Sequence, residues 1–254
     1  MAKIEGYIPG SFCWAELASK DVDAAKAFYS DMFGWTPVDM PMPQGVYTIF
    51  QVDGNDAAAL CSPPGASGQW AVYFSVESAD DAASKIAAGG GKVVAGPFDA
   101  HVFGRMAVAQ DPQGAFFSVW QPKQSYGASH GGPLGMVGWV ELATPDAAGA
   151  AAFYTGLFGW GTKPETGVAE APYTEWINGG KAMGGMLPMK GDEWKGVPPH
   201  WTIYITVANC DERHARALEL GAKACVPPTD IPNVGRFSVL FDPQGAAFCL
   251  IAMK

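Results

Sequence analysis

Two glutamates stand at the same place in two copies of one pattern. The stretch from Trp14 to Trp35 returns 125 residues later as Trp139 to Trp160, identical at twelve of 22 positions, so Glu16 and Glu141 are one residue written twice. A period of two along Phe12 to Leu17 puts Trp14 and Glu16 on one strand face and Cys13, Ala15 and Leu17 on the other. A buried carboxylate costs several kcal/mol unless something answers it. Arg105 and Arg236, duplicated at an offset of 131, are the expected partners, and the pairs would close a floor as structural ion pairs. The sharper expectation makes Glu16 or Glu141 a general base or a ligand-orienting acceptor, with its pKa raised by burial. Tyr73 and Tyr204 share the glutamate face by the same alternation count, and Tyr47 and Tyr173 are paired on the third strand of each copy. His101, His200 and His214 are not duplicated and stay unassigned, with His101 beside Arg105 the best acid/base outlier.

The elements that must position these residues are legible in the same repeat. Asp21 is placed as an N-cap, Val22, Ala25, Phe28, Tyr29, Met32 and Phe33 recur at helical spacing, and Gly34 stops the helix. Asp146 and Gly159 repeat the device around Phe153 and Tyr154. Three short strands follow, punctuated by proline, glycine and the turn Asp53-Gly54-Asn55-Asp56. A looser version of the order begins at Trp70 and ends on Asp111-Pro112-Gln113-Gly114 and a last strand, which Asp242-Pro243-Gln244-Gly245 matches in the second half. The fold class expected is α+β, with four βαβββ modules and helices over 21–33, 78–89, 146–158 and 210–220. Domains are expected at 1–122 and 134–254, each with its own core, joined by a polar linker at 123–133 whose His130 reads as solvated. The larger offset of the later motifs places an insertion of about six residues between Lys190 and Pro199.

Charge and composition narrow the partners. A net charge of −9 removes the basic footprint that nucleic acid or an anionic membrane surface requires, leaving a small molecule as the expected partner. No apolar run approaches the length of a membrane span, and no secretory segment is visible near Met1. Five cysteines without metal-ligand spacing fit reduced thiols in a cytoplasmic protein.

A strand, an Asp-capped helix ending in Phe-Tyr-x-x-x-Phe-Gly-Trp, three strands and an Asp-Pro-x-Gly turn resemble the vicinal oxygen chelate superfamily of glyoxalases, bleomycin resistance proteins and extradiol dioxygenases. The resemblance covers nearly the whole chain and is similar to a tandem-domain, glyoxalase-like group. It implies that paired modules curl into an open, cup-shaped half barrel with helices outside and the ligand within. It also implies metal-ligand positions, which here fall on Trp14, Ala71 and Ser118 and on Trp139, Thr202 and Cys249, with fourth strands free of His, Asp and Glu. Indole is a donor only and a methyl group cannot ligate, so no intact divalent-metal site and no cofactor are expected. The function expected is binding of a small, partly apolar organic molecule in one or both cups. Trp14, Tyr73, Arg105, Ser118, Trp139, Tyr204, Arg236 and Cys249 would line those cups. The alternative is a lyase, isomerase or oxygenase working through Glu16, Glu141 or a divergent metal site. Since the duplication supplies internally the pairing that single-domain relatives gain by dimerising, a monomer or weak homodimer is expected.

Overall fold

Asp21 and Asp146 start two helices by accepting the amide N–H of Ala24 and Gly149, and Gly34 and Gly159 end them at φ of 69° and 74°, a conformation that glycine enters without steric cost. These helices are α1 (Val22–Phe33) and α3 (Ala147–Phe158) in a computed structural model that describes residues 6–42, 45–129, 134–165 and 173–254. His130 lies outside the described residues. Around α1 the first half holds β1 (Phe12–Ala18), β2 (Thr36–Met42), β3 (Gly45–Val52), β4 (Asn55–Cys61) and β5 (Gln69–Ser75). It continues with α2 (Ala79–Ala88), β6 (Lys92–Ala100), β7 (Gly104–Gln110) and β8 (Phe116–Pro122). The second half repeats the order as β9 (Val137–Thr144), α3, β10 (Gly161–Glu165), β11 (Tyr173–Asn178), β12 (Lys181–Pro188) and β13 (His200–Thr206). It ends with α4 (Cys210–Glu219), β14 (Lys223–Ile231), β15 (Gly235–Phe241) and β16 (Ala247–Met253). The inserted loop carries a short 3₁₀ turn, Asp192–Trp194.

Each half forms one eight-stranded sheet, β2-β3-β4-β1-β5-β8-β7-β6 and β10-β11-β12-β9-β13-β16-β15-β14. The antiparallel pair β1 and β5, or β9 and β13, joins two modules at the centre, and the sheets stay open at both edges. Alternation then sorts the side chains. Ala15, Leu17, Val72, Phe74, Phe117 and Val119 are buried on the helix side, which leaves Trp14, Glu16, Ala71, Tyr73 and Ser118 on the opposite, concave face.

The two halves do not keep separate cores. Phe28 and Tyr29 of α1 pack edge-on against Phe248 of the other half's β16, and Phe153 and Tyr154 of α3 pack in the same way against Phe117 of β8. One continuous buried cluster results. Its polar seam is reciprocal: the Tyr29 hydroxyl donates to Asp242 at 3.0 Å and accepts the indole N–H of Trp70 at 3.0 Å. Tyr154 donates to Asp111 at 3.1 Å and accepts from Trp201 at 2.9 Å. Trp35 and Trp160 complete the crossing by donating to the carbonyls of Gly135 and Gly10 in the opposite halves. The linker is also held: the amides of Lys123, Ala128 and Ser129 bond to Phe103, Cys13 and Asp56, so these residues trace the first half and do not form a solvated tether.

Tyr29→Phe would leave the Asp242 carboxylate and the Trp70 indole each short of a partner in a buried place. A loss of about 1–3 kcal/mol is expected in urea titrations, and a similar loss for Tyr154→Phe. Because the core is shared, the chain should unfold in one cooperative transition; two resolved transitions would contradict the shared core. With the internal pairing satisfied, light scattering is expected to give a mass near the chain's 26.7 kDa, and an obligate tetramer would refute that expectation.

Candidate functional site

The concave faces are built around the two glutamates. Glu16 lies on the central strand β1, opposite Ala71 of β5 and Ala59 of β4. Its Oε2 accepts the hydroxyl of Tyr47 at 2.8 Å, and its Oε1 accepts the hydroxyl of Tyr73 at 3.1 Å and the thiol of Cys61 at 3.4 Å. Tyr47 in turn accepts the indole N–H of Trp14 at 3.2 Å. Three strands therefore converge on one carboxylate with neutral donors. Burial, and next the negative charge of Glu16, push the Tyr47 and Tyr73 hydroxyls and the Cys61 thiol well above their ordinary ranges, so all three stay protonated and donate.

The second cup repeats the unit with changes. Glu141 lies between Gly185 of β12 and Thr202 of β13, and its Oε1 accepts the hydroxyl of Tyr204 at 3.0 Å. The Tyr173 hydroxyl, which takes the indole N–H of Trp139 at 3.0 Å, lies alongside the carboxylate. It reaches that point over Gly185, where a Cβ would collide with the phenol oxygen. Leu187 stands where the first half has Cys61, so the thiol donor is missing. Burial raises the Glu141 carboxyl above its ordinary value, and the bonds from Tyr173 and Tyr204 offset only part of that.

The arginines expected to pair with these glutamates do not. Arg105 binds the carboxylates of Asp80 on α2 and Asp99 on β6 at 2.8 and 3.3 Å, and Arg236 binds Asp211 on α4 and Asp230 on β14 at 2.7 and 3.1 Å. Register explains the correction. Arg105 shares its face of β7 with the buried Ala107 and Ala109, and Arg236 shares its face of β15 with the buried Ser238 and Leu240, so both point to the helix side, away from the cups. His101 sits in the hairpin between β6 and β7 at φ of 50°, while His214 on α4 meets the Ser238 hydroxyl at 2.7 Å. His200 borders the second cup, with its Nδ1 against the Pro198 carbonyl at 2.8 Å and its ring beside Trp194 of the inserted loop.

The other expected lining residues are placed together. Ser118 is the β8 neighbour of Tyr73, and Cys249 the β16 neighbour of Tyr204. In the first cup a cavity of about 240 Å³ opens among Ala18, Ala71, Val108, Phe116, Ser118 and the loop from Pro63 to Ser67. Cys61 and Trp120, whose indole lies over Gly104 and edge-on to Tyr73, were not among the expected site residues. Alternation from Ala59 and from Ser118 carries the signal for both.

The positions corresponding to the metal ligands do not fit a divalent ion. Trp14 and Trp139 offer only an N–H donor, Ala71 offers nothing, and Ser118 and Thr202 offer single hydroxyls. Cys249 is a buried thiol held well above its ordinary range by burial and then by Glu141. Among the described residues no three His, Cys, Asp or Glu side chains converge.

The comparisons with known proteins agree with this architecture. Residues 11–119 match the model of the glyoxalase/bleomycin resistance protein/dioxygenase superfamily, and residues 139–251 match that of a glyoxalase-like domain. CFP32 of Mycobacterium tuberculosis (strain CDC 1551 / Oshkosh) is 36% identical over 260 residues, covering 99% of this chain and 98% of its own. The anthracycline biosynthesis protein DnrV of Streptomyces peucetius is 34% identical over 269 residues, covering 98% and 95%. Among solved structures, the Mn(II)-bound glyoxalase from Novosphingobium aromaticivorans superposes with a TM-score of 0.68 at 19% identity, covering 96% of this chain and 82% of that one. A catechol 2,3-dioxygenase superposes at 0.64 and 14% identity, covering 96% and 89%, and these two likenesses concern the fold alone. The chain belongs to the glyoxalase/bleomycin resistance protein/dioxygenase superfamily, as a tandem of two such domains in one polypeptide.

Proposed function

We propose that this protein binds a small, partly apolar organic molecule in its cups without a resident divalent metal. One observation carries the reading: each cup keeps a carboxylate at its centre that is answered by tyrosine hydroxyls and by no lysine or arginine among the described residues. Such a group is costly to retain, and the cost is understandable where the carboxylate meets a ligand. The surrounding surface, with Trp14, Val108 and Phe116 in the first cup, suits a flat apolar body, and the few polar groups suit orientation. The name of the relative DnrV, an anthracycline biosynthesis protein, makes aromatic small molecules the first compounds to try. A second reading, catalysis by a general base, is favoured by Glu141, whose carboxyl is moved by burial towards the range in which a base works near neutral pH.

Elemental analysis of protein purified without chelators tests the metal-free reading. No stoichiometric metal is expected, and about one manganese, zinc, nickel or iron per domain would overturn it. Binding itself is tested by a thermal-shift screen of neutral and charged aromatic compounds, in which no compound raising the melting temperature would refute the reading.

The cost attached to Glu141 has a definite sign. Its folded carboxyl titrates above the unfolded value of about 4.3, so the folded chain prefers the protonated form. The penalty is absent at low pH, appears as pH rises through the unfolded value and is complete above the raised folded value. Glu141→Gln keeps an acceptor for Tyr204 and removes the charge. It is expected to melt above the parent near pH 7, with the difference closing on acidification; a variant less stable than the parent near neutrality would show that the carboxylate is structural. Loss of a measured turnover in this variant, with its stability retained, would promote the catalytic reading.

A further inference from the structure

The loop between β4 and β5 forms one wall of the cavity, and its sequence fixes its shape. Pro63, Pro64, Gly65 and Ala66 make a turn closed by the Ala66 amide on the Pro63 carbonyl at 3.0 Å, with Gly65 at φ of 78°, the conformation that a Pro-Gly pair favours. Both ends of the loop are pinned to β1. The Cys61 carbonyl accepts the Ser19 amide at 2.9 Å, and the Gly68 amide donates to the Ala18 carbonyl at 3.1 Å. Gly68, at φ of 77°, also abuts the second half, since a Cβ there would lie 2.9 Å from the Gln244 carbonyl oxygen. A wall so held keeps its shape whether or not anything is bound.

The opposite walls are Ala18 and Ala71 with Val108, Phe116 and Ser118, around about 240 Å³. Apolar cavities of about 150 Å³ take up a benzene ring, so this volume suits one ring or two fused rings. Phe116 leaves 46% of its surface exposed while lining this space, although Phe117 beside it is buried in the core. An aromatic face presented to a concave wall suits a flat occupant. The second half has Ala247 at that position, so the wall is particular to the first half.

The polar groups restrict the occupant further. No charged side chain lines the cavity. Glu16 stands apart from its walls, with its carboxylate answered by Tyr47, Tyr73 and Cys61. A charged group taken in here would lose its hydration with no opposite charge to meet it. Ser118 lines the cavity, is only 2% exposed, and among the described residues its hydroxyl has no hydrogen-bond partner. A buried hydroxyl is costly to leave unpaired, and this one can be answered from inside the cavity. Resting on the binding reading above, we infer that the pocket between the Pro63–Ala66 turn and Phe116 takes a neutral molecule of one or two fused rings, whose hydroxyl or carbonyl bonds to Ser118.

Calorimetric titration of the whole chain with 2-naphthol, with 2-methylnaphthalene, which has the same shape without the hydroxyl, and with 2-naphthoate tests this. Naphthol is expected to bind at least about tenfold more tightly than naphthoate. Ser118→Ala should weaken naphthol about three- to tenfold and leave 2-methylnaphthalene bound as before or more tightly. Phe116→Ala should weaken both neutral compounds, and Ala71→Leu, checked for folding by its melting curve, should exclude them. In co-crystals with 6-bromo-2-naphthol the anomalous signal of bromine should lie between Phe116 and the Pro63–Ala66 turn. Bromine at another place, naphthoate bound as tightly as naphthol, or an unchanged naphthol affinity in Ser118→Ala would overturn the inference while leaving the binding reading intact. No binding of any probe would overturn it as well, and the wider thermal-shift screen then decides whether the binding reading falls with it.

Discussion

The reciprocal bond between a helix tyrosine of one half and a turn aspartate of the other is the constraint on which the rest of the structure depends. Tyr29 and Tyr154 each sit fully buried between two sheets, with the hydroxyl bridging an indole of their own half and a carboxylate of the opposite one. Asp111 and Asp242 can receive these hydroxyls because their other oxygen already holds the turn, accepting the amides two and four residues on. On α3 the buried stripe is Ala150, Phe153, Tyr154 and Leu157, and on α1 it is Ala25, Phe28, Tyr29 and Met32. Both convex faces are thereby consumed in joining the halves. The concave faces are what remains for chemistry.

The position of the carboxylates follows from the same sorting. On β1 the core demands Cys13, Ala15 and Leu17, all fully buried, and the alternation leaves Trp14 and Glu16 no other direction than the cup. A charge on a central strand has no route to bulk solvent along its own chain. Neighbouring strands supply donors instead, and tyrosine serves because its long, stiff ring spans from an adjacent strand to the carboxylate while adding apolar wall.

Much of this was legible in the sequence, and the failures have physical reasons. The caps at Asp21 and Asp146, the glycine stops, the four βαβββ modules and the glutamate face all depend on local spacing, which a sequence displays directly. Charge and duplication point Arg105 and Arg236 to the glutamates, whereas the buried Ala107 and Ala109 on the same face of β7 commit Arg105 to the helix side. Periodicity carried more information there than complementarity did. The Phe-Tyr and Asp-Pro-Gln-Gly motifs were visible as markers of the fold, but their bonding to each other joins residues 213 positions apart for Tyr29 and Asp242, which no local pattern encodes. The shared core was missed for the same reason, since domain size alone suggests one core for each half. Cys61 is a donor only through the pairing of β4 with β1, which brings its thiol to Glu16 from 45 residues away and is not a local pattern.

The two copies also record which parts of the fold constrain each other. The clamp is the same in both: Phe28 and Tyr29 match Phe153 and Tyr154, Trp35 matches Trp160, and the Asp-Pro-Gln-Gly turns are identical. A pseudo-twofold contact requires this, because the tyrosine of each half meets the turn aspartate of the other and a change at one residue leaves a buried polar group unanswered. Within the cups the floor is held in common, as Trp14, Glu16, Tyr47 and Tyr73 against Trp139, Glu141, Tyr173 and Tyr204, and so are Ala18 and Val108 against Ala143 and Val239. The walls are under no such reciprocity, and they differ at Cys61, Ala71, Met106, Ser118 and Trp120. The cups therefore share a carboxylate and its two tyrosines and diverge in the Cys61 thiol and in much of the wall.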